Sequence, residues 1–146
     1  DPARHPGLVR QGPVAVVILL DTHVWIWWLA EPARLSSTAA LAIDAAVRAD
    51  AVHISAMSAW ELAMLVARGR LVLDRPAARF VADTEALPFV HFIDVDPRIA
   101  VASVELTLPH PDPADRLIVA TALALDAPLV TKDERIRGWG GVPTVW

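Results

Sequence analysis

Short, largely apolar runs of β-forming residues alternate along this chain with segments of helical pattern, and that alternation narrows the available folds more than any other feature of the sequence. The runs are Val14 to Leu20, Ala51 to Ser55, Val90 to Val95 and Pro128 to Thr131, with a weaker fifth at Val142 to Val145. Strands separated by helices predict a parallel sheet of four to five strands covered by helices on both faces. The chain has 146 residues, the size of one ordinary domain, and shows no repeat and no internal boundary. One domain is therefore expected over residues 14–146, preceded by residues 1–13 as a flexible tail or cloning remnant.

The helical segments carry start and stop signals. Thr22 to Leu29 forms a short aromatic segment that should end at Glu31-Pro32, because a residue before proline avoids the helical region. Ser36 or Ser37 can cap a helix to about Ala49, with Leu41 and Ala45 on one face. Ser55 or Ser58 can cap another, Ala59 to Arg68, which Gly69 would terminate. Pro76 to Leu87 and Pro97 to Glu105 each open with a proline suited to a first turn. In Asp115 to Leu125, Leu117, Ile118, Ala122 and Leu125 form an apolar stripe in which Thr121 is the polar member.

Composition removes several chemistries. There is no cysteine, which excludes disulfides, thiolate nucleophiles and cysteine-based zinc sites. The apolar fraction of 55% and the mean hydropathy of +0.43 are high for a chain that faces water on every side, so a partner is expected to cover part of the surface. No apolar run is long enough to cross a bilayer, and the N-terminal segment lacks the apolar core of a signal peptide. A cytoplasmic protein with no membrane association is the default expectation. The formal net charge of −4 argues against nucleic-acid binding by charge alone. The basic residues are nevertheless gathered at Arg68, Arg70 and Arg75 and at Arg116, Lys132, Arg135 and Arg137.

In a parallel sheet the loops after the strands converge on one edge, and ligands bind there. Ordered by strand end, the acids line up. Asp21 directly follows the first run, Glu61 lies within the helix after the second, Asp115 opens the helix before the fourth, and Asp133 comes just after the fourth. Carboxylates gathered this way repel one another, and a divalent cation removes that cost. Oxygen ligands without cysteine or histidine select Mg²⁺ or Mn²⁺ over zinc, and such an ion assists attack of water on a phosphodiester. Each acid also has an ordinary reading: an Asp at a helix start is commonly an N-cap, and Glu61 can be read as a solvated helix acid, although neighbouring Trp60 and Leu62 suggest a buried turn.

Four stretches then meet a known pattern. Ile18-Leu19-Leu20-Asp21-Thr22-His23-Val24, Ser55-Ala56-Met57-Ser58-Ala59-Trp60-Glu61-Leu62, His110-Pro111-Asp112-Pro113-Ala114-Asp115-Arg116-Leu117-Ile118-Val119-Ala120-Thr121-Ala122 and Leu129-Val130-Thr131-Lys132-Asp133 resemble, in order, the motifs of PIN-domain proteins of the VapC toxin type. The resemblance runs from about Val14 to the last residue. It implies a PIN-like three-layer α/β/α sandwich and a Mg²⁺- or Mn²⁺-dependent endoribonuclease with ligands at Asp21, Glu61, Asp115 and Asp133. It further implies hydroxyl support of those acids by Thr22 and Thr131, a homodimer, an RNA substrate, and inhibition by a VapB-like antitoxin of a toxin–antitoxin pair. Asp112, three residues before Asp115, is a further candidate ligand.

Other residues near the motifs have plain structural readings. His23 and His110 can touch a phosphate or pack through hydrogen bonds. Trp25, Trp27 and Trp28 can stack on bases, whereas Trp25 and Trp28, spaced i, i+3, suit the core or a dimer seam. Asp94 and Asp96 suit a loop or cap. Arg116 can pair with the acids or with RNA. Competing classes fit less well. A haloacid-dehalogenase-type phosphatase needs an acid where His23 stands, and a response-regulator receiver domain needs an acidic pair that is missing. A PIN-like scaffold without catalysis would be expected to lack acids that are all present here, and a DNA-directed nuclease would share the same metal chemistry.

Overall fold

The computed structural model describes residues 16–146. The expected tail 1–13, and Val14 and Ala15 of the first expected strand, lie outside the described residues. Five strands, β1 (Ile18–Leu20), β2 (Val52–Ser55), β3 (Val90–Ile93), β4 (Leu129–Val130) and β5 (Thr144–Val145), form one sheet in the order β3-β2-β1-β4-β5, every pairing parallel. The helices among the described residues are α1 (Thr22–Ala30), α2 (Ser37–Arg48), α3 (Ala56–Ala67), α4 (Ala77–Glu85), α5 (Pro97–Glu105), α6 (Pro113–Leu125) and α7 (Glu134–Trp139).

Successive residues of a strand point to opposite faces, and β1 uses both. Ile18 and Leu20 enter one apolar cluster with Val24 and Trp25 of α1, Ile43 of α2, Leu62 of α3 and Phe80 of α4. Leu19 enters the other, with Ile118, Val119 and Ala122 of α6 and Ile136 of α7. The sheet is thus buried on both sides, giving the expected three-layer sandwich. Leu19 and Leu20 are fully buried, so truncation of either to Ala is expected to cost about 2–5 kcal/mol.

Caps and stops follow the local chemistry. Ser36 caps α2 and Ser55 caps α3, their hydroxyls accepting from Ala39 N and Met57 N. Gly69, at φ +69°, follows the end of α3 in the left-handed conformation that glycine tolerates. Three local expectations need correcting. Leu41 lies on the solvent face of α2, which buries Ala39, Ile43 and Ala46 instead. Trp60 is exposed while Leu62 is buried, so the turn around Glu61 is only half covered. Helix α6 begins at Pro113 with Asp112 as its cap, so Asp115 sits within the first turn rather than opening the helix. The short helix α7 has no counterpart in the sequence pattern, since Ile136 is its only buried residue and one apolar position carries no period.

The chain builds β1, β2 and β3 outward in one direction, then crosses to the other side of β1 to lay down β4 and β5. β1 and β4 therefore flank the point where strand order reverses, and ligands of open α/β sheets bind beyond the strand ends at such a point.

Candidate active site

The register Leu20↔Val130 places the next residues of β1 and β4, Asp21 and Thr131, side by side at that point. Asp21 accepts from the Thr22 N–H at Oδ1 (2.8 Å) and from the Thr131 hydroxyl at Oδ2 (2.7 Å). Thr131 in turn accepts from the Asp133 N–H at 3.0 Å. Asp133 caps α7, its Oδ1 accepting from Arg135 and Ile136 N–H groups, and its Oδ2 remains turned toward the site. Asp112 caps α6 in the same manner through Oδ1 and Ala114 N–H. Cap and site position are thus compatible roles, because a cap occupies one carboxylate oxygen and leaves the other.

Glu61 reaches the cluster from α3. The Thr22 hydroxyl donates to Glu61 Oε1 at 2.6 Å and lies 2.9 Å from the buried Ser58 hydroxyl. Ser58 is one turn before Glu61, on the same helix face, and that spacing was the available sign of its role.

His110 is almost fully buried between two acids. Its Nε2 lies 3.1 Å from Asp115 Oδ2 and 3.2 Å from Asp133 Oδ2, while Nδ1 accepts from the Asp112 N–H at 3.3 Å. A ring whose Nδ1 accepts carries its proton on Nε2, so His110 donates to the carboxylates and orients them. Arg116 pairs with neither acids nor an outward surface. Its Nε donates to Ser103 O, one terminal nitrogen to Leu108 O and His110 O, and the other to Val104 O and Leu106 O. It pins the end of α5 and the following segment to the first turn of α6.

Asp21, Glu61, Asp112, Asp115, Asp133 and Glu134 line one cavity of about 460 Å³ whose other wall is His23, Val24, Trp27 and Lys132. Burial pushes the Asp21 carboxyl above its usual range, against the Thr131 and Thr22 hydrogen bonds that pull it down. Burial likewise raises Glu61, aided by the charge of Asp21. Asp115 is pushed up to about 8, first by burial and then by the charges of Asp21, Asp112, Glu61 and Asp133. Carboxyls held this far from ionisation lack a counter-charge. Carboxylate oxygens of Glu61, Asp112 and Asp115 lie within 4.8 Å of one another, as do those of Asp115 and Asp133 with a ring nitrogen of His110. A hard divalent cation fits this oxygen-rich set. All of the candidate metal ligands named from the sequence, Asp112 included, thus come together in one cavity, with Thr22 and Thr131 bonded to Glu61 and Asp21.

The remaining candidates separate. Trp25 is fully buried and Trp28 packs against the same core, in keeping with the core reading of their i, i+3 spacing; Trp27 lines the acid cavity. Asp96 caps α5 through Ile99 N–H. Among the described residues the large exposed apolar side chains are Leu41, Trp60, Val72, Val101, Val104 and Leu123. No helix of the described residues is long and apolar enough to cross a membrane.

Comparison with known proteins agrees with this architecture. The chain is 41% identical over 121 residues to Ribonuclease VapC22 of Mycobacterium tuberculosis, a match covering 82% of this chain and 89% of that protein. Its fold is shared with a chain of VapBC2 from Rickettsia felis bound to a promoter DNA fragment (TM-score 0.65, 16% identity, 88% of this chain and 96% of that one). It is also shared with a chain of FitAcB from Neisseria gonorrhoeae (TM-score 0.61, 24% identity, 88% and 96%). The PIN domain family model matches residues 18–140, and with the VapC22 likeness it establishes that this chain belongs to the PIN-domain family.

Proposed function

We propose that the chain is a divalent-metal-dependent endoribonuclease and the toxin of a VapBC-like toxin–antitoxin pair. The observation that carries the reading is the convergence of Asp21, Glu61, Asp112, Asp115 and Asp133, from separate segments, on one cavity at the strand-order reversal. The relation to Ribonuclease VapC22 supports RNA as substrate, and the VapBC and FitAcB folds support an antitoxin partner.

Asp21, Glu61, Asp115 and Asp133 would hold Mg²⁺ or Mn²⁺, with Asp112 at the rim through the oxygen its cap leaves unused. The ion, when bound, supplies Lewis-acid polarisation of a phosphoryl oxygen and of the attacking water. The chain's own residues do the positioning. Thr131 holds Asp21, Thr22 holds Glu61, and His110 holds Asp115 and Asp133, so that the carboxylates present a fixed set of oxygens. Lys132, at the cavity wall, offers a positive charge to the RNA backbone. Water attack at phosphorus needs no 2′-hydroxyl, so the products should carry a 5′-phosphate and a 3′-hydroxyl.

The test is incubation of the purified chain with matched RNA and DNA oligonucleotides, with Mg²⁺, Mn²⁺ or EDTA, followed by end-group analysis. RNA cleavage that requires the ion and leaves 5′-phosphates supports the reading; a 2′,3′-cyclic phosphate, or cleavage in EDTA, overturns it. The toxin assignment is tested separately. The chain alone is expected to self-associate as a homodimer by size-exclusion chromatography with light scattering, and the product of the adjacent upstream reading frame to bind and inhibit it, with an Arg or Lys directed at the acids. A monomer that this product neither binds nor inhibits contradicts the toxin reading and leaves the nuclease reading intact.

A further inference from the structure

Among the tryptophans of α1, Trp25 and Trp28 join the apolar core and Trp27 does not. Half-buried, Trp27 forms part of the wall of the cavity whose other side is the acid cluster. Its ring is held on two sides: His23, one turn earlier on α1, lies 5.9 Å away at a tilt of 47°, and Trp146 lies 5.9 Å away at 55°. The Arg34 guanidinium stands 4.9 Å from the ring centre and the Lys132 ammonium 5.9 Å. The cavity therefore has two chemically distinct halves, one anionic and suited to a cation and phosphate, the other aromatic and flanked by basic groups.

That division matches a nucleotide. We propose that Trp27 forms a nucleobase subsite, stacking on the base next to the phosphate held at the acids; this rests on the ribonuclease reading above. An indole held by neighbouring rings is a preorganised stacking surface, and every base offers a π-face, so the subsite accepts all four bases. Arg34 and Lys132 are solvent-exposed side chains attracted to the ring's electron-rich face. A base that stacks on the ring displaces the cation from the face it takes toward a flanking phosphate, with which that cation forms an ion pair. The cavity volume of about 460 Å³ falls within the roughly 300–1,000 Å³ of pockets that enclose small ligands, enough for one base and its sugar.

The test uses the full chain, Trp27→Leu, which keeps an apolar side chain without the aromatic face, and Trp27→Phe, which keeps a smaller one. Each is titrated, with Ca²⁺ as the ion, against fluorescent hexaadenylate RNA and against an abasic ribose-phosphate chain of equal length. Mn²⁺ binding to each variant is followed by electron paramagnetic resonance. Trp27→Leu is expected to weaken hexaadenylate binding by between about five- and a hundredfold, to leave the abasic chain and Mn²⁺ binding within about twofold of wild type, and Trp27→Phe to restore most of the loss. An equal loss on both nucleic acids, a loss of Mn²⁺ binding, or unchanged hexaadenylate affinity overturns the subsite. Wild-type protein that cleaves RNA while Trp27→Leu behaves identically defeats the subsite alone; wild-type protein that neither binds nor cleaves RNA defeats the ribonuclease reading with it.

Discussion

The Thr131 hydroxyl donates to Asp21 Oδ2 at 2.7 Å across a separation of 110 residues, while accepting from the Asp133 N–H at 3.0 Å. One side chain thereby ties two of the candidate ligands, at the ends of adjacent strands, into one geometry. Thr131→Val keeps the shape and removes both bonds. It is expected to destabilise the fold by about 1–3 kcal/mol and to weaken Mn²⁺ binding by about 10–100-fold, read by urea unfolding and calorimetric titration. Thr131→Ser should retain most of both.

Asp21→Asn removes one charge from a cluster in which burial already disfavours ionisation. RNA cleavage and Mn²⁺ binding should be lost. The variant in EDTA should melt no lower than wild type in alkaline buffer, where the native carboxylate is charged and uncompensated. Thermal melts with and without Mn²⁺ test this, and substantial nuclease activity in the pure variant would remove Asp21 from the mechanism.

Asp115, Glu61 and Asp21 all have native pKa values raised above those of the unfolded chain, Asp115 to about 8. Between the unfolded value and the raised one the folded state binds more protons, so stability in EDTA should fall as pH rises, with the Asp115 share of the loss spread between about 4 and about 8. A cation must displace the Asp115 proton. Its apparent affinity should therefore increase as pH rises toward about 8, with proton release on binding at neutral pH. Calorimetry in buffers of different ionisation enthalpy measures the released proton, and a pH-independent affinity would contradict the assignment.

Arg116 bonds only backbone carbonyls, five of them between Ser103 and His110. Arg116→Ala should cost roughly 2–4 kcal/mol, since bonds to a charged donor are the strong ones and the orphaned carbonyls lose their partner. Arg116→Lys should recover little, because a single ammonium cannot reproduce the planar fork. Both variants should lose activity in step with stability; a fully stable Arg116→Ala with weakened RNA binding would instead make Arg116 a contact to the substrate.

Local chemistry was sufficient for much of this molecule. Apolar runs bounded by polar turns marked the strands, the serine pairs Ser36/Ser37 and Ser55/Ser58 and Gly69 marked helix ends, and an acid directly after the buried Leu20 marked Asp21, because burial and capping depend on neighbours within a few residues. The sequence by itself therefore determined the layered α/β class and the set of acids to examine. Only the tertiary structure decided which hydroxyl meets which acid, that His110 lies between Asp115 and Asp133, that Arg116 turns inward to carbonyls, and that Trp27 leaves the core while Trp25 fills it. Those outcomes depend on the β1–β4 register and on how α1, α3 and α6 meet over the strand ends, and contacts between segments up to 110 residues apart leave no period in the chain that forms them.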